Sequence, residues 1–328
     1  MKSAGDLPGP GPGSAIEPAV QELRSLRDCV RWGVSRFREA GLCFGHGTDN
    51  PWDEALALAL HAAHLDHDMD AAWLDCRLTA AERRAVCGLL MARVETRKPA
   101  AYLTGEAWFA GLRFHVDERV LVPRSPIAEL IEARFEPWVP AGGPATVLDL
   151  CTGSGCIAVA CAAWLPAAAV TAVDLSPDAL EVARINVGAH GLEDRVELLR
   201  SDLYAALAGR RFDLIVSNPP YVPRARMAEL PAEFRHEPAM ALEAGPEGLD
   251  LVEGILAQAA EHLNPGGVLI VEVGEVEEAV KARWPELPFL WLQFERGGGG
   301  VFLLTAEQLV AWGGGAGVNR PPGRPAPD

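Results

Sequence analysis

The sequence lacks the long apolar runs that a membrane protein needs. A helix that crosses a bilayer takes about 18 or more consecutive apolar residues, and no stretch of the 328-residue chain reaches that length. The first 18 residues also lack the apolar centre of a secretory signal peptide. We therefore expect a cytoplasmic protein with no membrane partner.

Paired cysteines are also missing. The seven cysteines form no Cys-x-x-Cys pair and are odd in number, so we expect no structural disulfide. Three of them recur every five residues from Cys151 to Cys161, which is neither metal-ligand spacing nor one helical face, and we interpret them as core residues. His61, His64 and His67 have the spacing of one helical face, but we favour a solvated helix end over a metal site.

Positive charge is scarce. Lysine and arginine number 29 against 45 aspartates and glutamates, which gives a formal net charge of −16. A protein that neutralises the phosphates of DNA or RNA must present a basic surface. Polyanions are therefore poor candidate partners, whereas a basic protein substrate suits this charge.

The apolar pattern divides the chain into a helical part and an α/β part. Residues 1–18 and 313–328 are rich in Gly and Pro, and we expect both tails to be disordered. Helical spacing over residues 19–104 predicts a small domain, to which we assign substrate recognition. Alternation over residues 105–122 predicts a hairpin linker, and residues 123–312 are left for the catalytic domain.

Strand-like and helix-like segments alternate after a helix predicted near Ser125 to Phe135. Such alternation predicts a doubly wound, Rossmann-like α/β sheet. The last two predicted strands are close enough to form a hairpin, which would place an antiparallel strand in an otherwise parallel seven-stranded sheet. The predicted strands are residues 146–150, 170–174, 196–199, 212–217, 268–273, 289–294 and 301–305.

A glycine turn follows the first of these strands. Val147 to Leu150 lead into Cys151-Thr152-Gly153-Ser154-Gly155, where glycines let the backbone approach a ligand and the next helix presents free N–H groups. With Ala158, this turn also matches the G-x-G-x-x-G/A pattern of dinucleotide-binding proteins. The turn alone is equally compatible with a nicotinamide dinucleotide and with S-adenosylmethionine.

Three acidic residues favour S-adenosylmethionine. Asp174 ends the second strand and can accept hydrogen bonds from ribose hydroxyls, while Asp202 ends the third and can accept from the adenine amine or cap a helix. Asp149 precedes the turn, where it would repel a diphosphate but attract the ammonium group of a methionine. The predicted cofactor-binding residues are Asp149, Thr152, Gly153, Gly155, Asp174, Leu175, Asp202, Leu203 and Asn218.

The reaction pocket is predicted at Asn218-Pro219-Pro220-Tyr221, directly after the fourth strand. The prolines keep this stretch extended and remove two N–H donors, which leaves the Asn218 side-chain oxygen and the Pro219 carbonyl as acceptors. Two acceptors match the NH₂ group of a planar amide or aromatic amine, and Tyr221 can lie flat against such a group. The motif predicts methyl transfer to a planar nitrogen without a covalent enzyme intermediate.

These motifs, together with Val120-Leu121-Val122-Pro123-Arg124, resemble the bacterial glutamine methyltransferases, which modify protein substrates at a Gly-Gly-Gln or related glutamine. Arg124-Ser125-Pro126-Ile127 and Gly45-His46-Gly47-Thr48-Asp49-Asn50 resemble the branch that acts on ribosomal protein L-three (the third large-subunit protein) more than the branch that acts on peptide release factors. The resemblance covers about residues 23–310, although Ala128 stands where the family pattern leads us to expect glycine.

The resemblance implies roles for individual residues. Asn218 and Pro219 would hold the glutamine amide with Pro220 beside them, and Tyr221 would wall the pocket. Gly153, Asp174 and Asp202 would bind the cofactor. Arg124 would lie near the methionine or substrate end. For His236, a contact with substrate and a cap of its own loop stay open.

Other functions remain as alternatives. The same tetrapeptide serves adenine methylation in DNA, but residues 224–250 carry three arginines against six acidic residues, which argues against a nucleic-acid channel. A ribosome assembly factor that binds the cofactor without chemistry would have no use for an intact Asn218 to Tyr221 motif. Peptide release factors are the alternative protein substrate.

Overall fold

A computed structural model describes residues 16–140 and 142–315. Most of the two predicted disordered tails lies outside these residues. Where they overlap, the prediction is wrong: one helix begins at Glu17 and another ends at Gly315. Ile16 and Val20 are buried in a hydrophobic core, which accounts for an ordered chain before the predicted boundary.

Contacts divide the described residues into two compact units. One comprises residues 16–105 together with Pro231–His236, and the other comprises residues 106–230 and 237–315. The six-residue segment Pro231–His236 thus belongs to the helical unit although it follows the Asn218 to Tyr221 motif in sequence. The helical domain predicted over residues 19–104 does not include this segment.

The helical unit packs around buried apolar residues such as Val30, Phe37 and Leu58. Ser25 and Thr79 form capping boxes at the starts of the helices Leu26–Glu39 and Ala80–Thr96. The helices are α1 Glu17–Glu22, α2 Leu26–Glu39, α3 Pro51–Ala62, α4 Ala80–Thr96 and α5 Ala100–Thr104, with a 3₁₀ turn at Ala71–Asp75. Among the residues described, no three His, Cys, Asp or Glu side chains are grouped so as to hold a metal ion.

A short antiparallel hairpin, β1 Glu106–Phe109 and β2 Leu112–His115, opens the second unit. Ala110 and Gly111 adopt positive φ angles of 48° and 75° at its turn. The predicted hairpin region ran on to Val122, but residues 116–122 are not a strand. Their apolar pattern arises because a loop buries Val116, Val120 and Val122 in the core.

The seven-stranded mixed sheet confirms the predicted fold class. Its strand order is β5-β4-β3-β6-β7-β9-β8, with β3 to β7 parallel and β9 antiparallel to both of its neighbours. The strands are β3 Thr146–Leu150, β4 Ala169–Asp174, β5 Val196–Arg200, β6 Phe212–Ser217, β7 Leu263–Glu272, β8 Leu290–Trp291 and β9 Val301–Thr305. The chain order reverses at β3, which lies between β4 and β6, so ligands are expected at the carboxyl ends of these strands.

Helices connect the strands of this sheet. They are α6 Ile127–Glu132, α7 Cys156–Trp164, α8 Pro177–Ala189, α9 Asp250–His262, α10 Glu277–Arg283 and α11 Ala306–Gly315. Helix α6 is shorter than predicted, and the edge strand β8 has only two residues. Across the described ranges, no helix is both long enough and apolar enough to span a bilayer.

Candidate active site

A cavity of about 460 Å³ opens at the carboxyl ends of the central strands. Its walls come from the segments that follow β3, β4, β5 and β6, which is where the switch in strand order predicts a ligand. Nine predicted site residues line it: Arg124, Thr152, Gly153, Asp174, Leu175, Asp202, Leu203, Asn218 and Pro220. Five others do not line it: Asp149, Gly155, Pro219, Tyr221 and His236.

The glycine turn is built from left-handed residues. Cys151, Gly153 and Gly155 have φ angles of 59°, 55° and 77°. No atom lies within 4 Å of the position that a Cβ on Gly153 would take, so this glycine leaves open space. A Cβ on Gly155 would lie 3.1 Å from the Cβ of Ala183. Gly155 therefore allows α8 to pack closely against the turn, which explains its absence from the cavity wall.

Two cysteines occupy positions that the sequence interpretation missed. Cys151 and Cys156 line the cavity, whereas Cys161 is buried in the core as predicted. The prediction of core positions is wrong for Cys151 and Cys156 because the turn and the start of α7 face the cavity. Burial raises the pKa of Cys156 to about 12 and raises that of Cys151 further, so both thiols stay protonated at neutral pH.

Asp149 lies beneath the turn and is fully buried. Its Oδ2 accepts hydrogen bonds from the Thr152 hydroxyl at 2.5 Å and from the Ala158 N–H at 3.1 Å, while its Oδ1 has no hydrogen-bond partner among the described residues. Burial raises the pKa of this carboxyl to about 7. An unpartnered carboxylate oxygen beside the cavity suits the ammonium group of a methionine, although Asp149 itself does not line the wall.

Asp174 lines the cavity at the end of β4. Its two oxygens accept the N–H groups of Gly153 and Ser176, each at 2.9 Å, and each oxygen keeps a further lone pair for a ribose hydroxyl. Burial raises the pKa of this carboxyl above its ordinary value. The carboxylate thus fixes the glycine turn and faces the ligand space at the same time.

Asp202 and Leu203 form the wall after β5. A turn follows Asp202, so the alternative of a helix cap is excluded for this residue. Leu203 has a φ of 46°, and its carbonyl accepts a 2.7 Å hydrogen bond from the buried Ser201 hydroxyl. Ser201 therefore holds the strained loop in the conformation that places both residues against the cavity.

Asn218 follows β6 and lines the same cavity as the glycine turn. Its side-chain amide makes no hydrogen bond with any residue that the structure describes. Two hydrogen bonds fix the chain just beyond the motif, from Val222 N–H to the Leu242 carbonyl at 2.8 Å and from Ala244 N–H to the Val222 carbonyl at 3.0 Å. A fixed backbone with an unpaired amide side chain is what a substrate-binding position requires.

Tyr221 does not wall this cavity, contrary to the role that the resemblance implies. Its ring packs against the core cluster of the sheet, and its hydroxyl lies 3.4 Å from Glu272 Oε1. Gly274 makes this position possible, because a Cβ there would lie 2.6 Å from the Tyr221 ring. This arrangement has no local sequence signal, because Glu272 and Gly274 are distant from Tyr221 in sequence.

Arg124 lines the cavity and is held by Glu237, a residue to which sequence analysis gave no role. The guanidinium forms a bidentate pair with the buried Glu237 carboxylate, at 2.5 and 2.8 Å, and the Val122 N–H donates to the same group at 3.0 Å. His236, its neighbour in sequence, belongs to the helical unit, where its Nε2 lies 3.1 Å from the Thr96 carbonyl oxygen.

Known proteins resemble this chain over most of its length. A family model described as the methyltransferase small domain matches residues 139–279. A ribosomal protein uL3 glutamine methyltransferase from Xanthomonas campestris pv. campestris is 52% identical over 293 residues, which cover 89% of this chain and 95% of the relative. The protein of that name from Bordetella pertussis is 50% identical over 292 residues, which cover 88% and 97% of the two chains. The chain belongs to the ribosomal protein uL3 glutamine methyltransferase family.

Proposed function

We propose that the protein transfers a methyl group from S-adenosylmethionine to the side-chain amide nitrogen of a glutamine in ribosomal protein uL3. One observation carries the chemistry: the unpaired amide of Asn218 shares a cavity with the glycine turn and with Asp174 and Asp202. The uL3 target is supported by the name of the relatives that share about half of the sequence.

The cavity residues fit the cofactor. Asp174 and Asp202 would accept hydrogen bonds from the ribose and the adenine, and the open space at Gly153 leaves room for the ligand to approach the backbone. The unpartnered Oδ1 of Asp149 would complement the ammonium group. S-adenosylmethionine supplies a methyl group on a positively charged sulfur, which makes that carbon an electrophile.

Asn218 and Pro219 would act on the amide of the substrate. An amide nitrogen is a poor nucleophile because its lone pair is delocalised, a conjugation that gives the C–N bond a rotation barrier of about 18–20 kcal/mol. The Asn218 Oδ1 and the Pro219 carbonyl would each accept one hydrogen of the NH₂ group and so aim the remaining lone-pair density at the methyl group. Orientation of this kind supplies on the order of 7–11 kcal/mol. The nitrogen would bond to the methyl carbon while the bond from that carbon to sulfur breaks, with the electron pair left on the sulfur, and the nitrogen would release one hydrogen as a proton to solvent.

The charge of the protein also favours a basic protein substrate. Ribosomal proteins contact RNA phosphates and are commonly basic, so a partner with a net charge of −16 attracts them at long range. The acidic balance of residues 224–250 disfavours DNA as the substrate.

The test is a methylation assay with labelled cofactor and four substrates: free uL3, large-subunit particles, a peptide release factor and DNA. We expect one methyl group on a glutamine of uL3, located by mass spectrometry of its peptides. Asn218→Ala should abolish the transfer and keep the affinity for S-adenosylhomocysteine. Label on the release factor alone would overturn the uL3 target, and label on DNA alone would overturn protein methylation.

A further inference from the structure

A buried carboxylate that the proposed chemistry does not use lies behind the reaction motif. Glu272 ends β7 and is 5% exposed. Its hydrogen-bond donors among the described residues are two hydroxyls: Ser125 Oγ donates to Oε2 at 2.5 Å, and the Tyr221 hydroxyl lies 3.4 Å from Oε1. A buried carboxyl group is costly unless such partners satisfy it, so the presence of Glu272 at this position needs a physical explanation.

Each of the two hydroxyl groups belongs to a segment that carries site residues. Ser125 directly follows Arg124, and its hydroxyl also accepts a 3.2 Å hydrogen bond from Ile127 N–H at the start of α6. Tyr221 ends the tetrapeptide that begins with Asn218. Glu272 therefore joins the segment after β6 to the segment before α6 through a single buried side chain.

The position of Tyr221 is set by close contacts as well as by this hydrogen bond. Gly274 has a φ of 50°, and a Cβ on it would lie 2.6 to 3.0 Å from the Tyr221 Cε2, Cζ and hydroxyl oxygen. A Cβ on Gly248 would lie 2.3 Å from the Tyr221 carbonyl oxygen. The two glycines let the backbone press against both ends of Tyr221, and the hydroxyl then reaches Glu272.

We propose that Glu272 is a positioning residue: with Ser125 it fixes the Tyr221 hydroxyl, and through Tyr221 it fixes the acceptors of Asn218 and Pro219 that hold the substrate amide. This inference rests on the proposed function of the tetrapeptide. The need for a fixed frame is physical, because a misplacement of about 1 Å can lower an oriented reaction by about a hundredfold.

The charged environment makes Glu272 observable. Burial raises the pKa of its carboxyl to about 7, while the nearby Arg124 and the two hydroxyls oppose that rise. Tyr221 also faces Glu275, and Arg124 is paired with Glu237. Ionisation of Glu272 should therefore change the surroundings of the Tyr221 ring near neutral pH.

The kinetic test is a double-mutant cycle with Glu272→Gln and Tyr221→Phe. Each single variant should lower kcat on uL3 by about tenfold to a hundredfold and leave the affinity for S-adenosylhomocysteine unchanged. The kcat of the double variant should be no lower than that of the less active single variant, because both changes break the same contact between Tyr221 and Glu272. Additive losses, or a Glu272→Gln enzyme with wild-type kcat, would overturn the inference. Asp213→Asn is the matched control, because the Asp213 carboxylate accepts hydrogen bonds from the N–H groups of Ala145 and Thr146, which lie outside the reaction motif.

A second readout does not depend on activity. The chain has three tyrosines, so ring-labelled tyrosine gives three sets of NMR signals, and Tyr221→Phe identifies one of them. We expect the Tyr221 signal to titrate with a midpoint near pH 7 and to stop titrating in Glu272→Gln. If Glu272→Gln does not fold, Ser125→Ala should move the midpoint to higher pH, because it removes a donor that favours the ionised form. A Tyr221 signal whose chemical shift does not change with pH refutes the positioning role, whereas failure to methylate uL3 refutes only the proposed function.

Discussion

Replacing Glu233 with alanine should strongly destabilise the helical unit. Glu233 is fully buried, and so are Arg93 and Glu54. Arg93 Nε pairs with Glu54 Oε1 at 2.7 Å, and Glu233 Oε1 pairs with Arg97 at 2.9 Å and accepts the Cys43 N–H at 3.0 Å. Two carboxylates thus balance two guanidinium groups, of which that of Arg93 is fully buried and that of Arg97 is 33% exposed.

The magnitude follows from this burial. Removing one member of a fully buried ion pair costs about 3–5 kcal/mol. Because Arg93 keeps its pair with Glu54 and Arg97 is 33% exposed, we expect a loss at the lower end, about 3 kcal/mol. Because folded domains are stable by only about 5–15 kcal/mol, the loss should be large. The substitution should also release the segment Pro231–His236, because Glu233 is the main polar anchor of this segment in the helical unit.

Urea unfolding followed by circular dichroism measures the loss, and hydrogen exchange locates it. We expect the amides of residues 232–236 to lose protection in Glu233→Ala. Glu17→Ala is the control, because the pair of Glu17 with Arg84 is 43% and 53% exposed and should contribute about 0–1 kcal/mol. Equal stability losses in the two variants would refute the argument from burial.

Three further changes give separable outcomes. Gly153→Ala should weaken binding of S-adenosylhomocysteine in calorimetry, because the new methyl group enters the open space over the turn. The left-handed φ of 55° adds a stability cost of about 1–2 kcal/mol. Gly155→Ala should instead lower the free energy of unfolding by about 1–3 kcal/mol, measured as a lower urea midpoint, since its methyl group meets Ala183. Asp149 binds its proton more tightly in the folded protein, with the pKa raised from 3.8 to about 7, so its contribution to stability falls as pH rises through that window. Asp149→Asn should therefore gain stability relative to wild type between about pH 4 and about pH 7 in urea titrations.

Much of the catalytic unit could be predicted because its signals are local. The strands Thr146–Leu150 and Val301–Thr305 match the predicted bounds, since short apolar runs between turn residues are typical of buried strands. The glycine turn and the acids at strand ends lie around one cavity because parallel strands end at the same edge of a sheet.

The remaining features depend on partners that are distant in sequence. Glu233 contacts Arg93 and Arg97 across more than a hundred residues, so no periodic pattern reveals that its segment belongs to the helical unit. Gly155 and Gly274 matter because of Ala183 and Tyr221, which only the fold brings near. The loop at residues 116–122 shows the opposite case, where burial of an irregular segment imitates a strand.

A structure with S-adenosylhomocysteine and a glutamine-bearing uL3 peptide tests the central claim most directly. The account predicts that the NH₂ group of the glutamine lies at hydrogen-bond distance, about 2.9 Å, from both the Asn218 Oδ1 and the Pro219 carbonyl, with its nitrogen facing the sulfur of the ligand. A bound glutamine whose amide is held by other residues, with the Asn218 side chain turned away from it, would contradict the account.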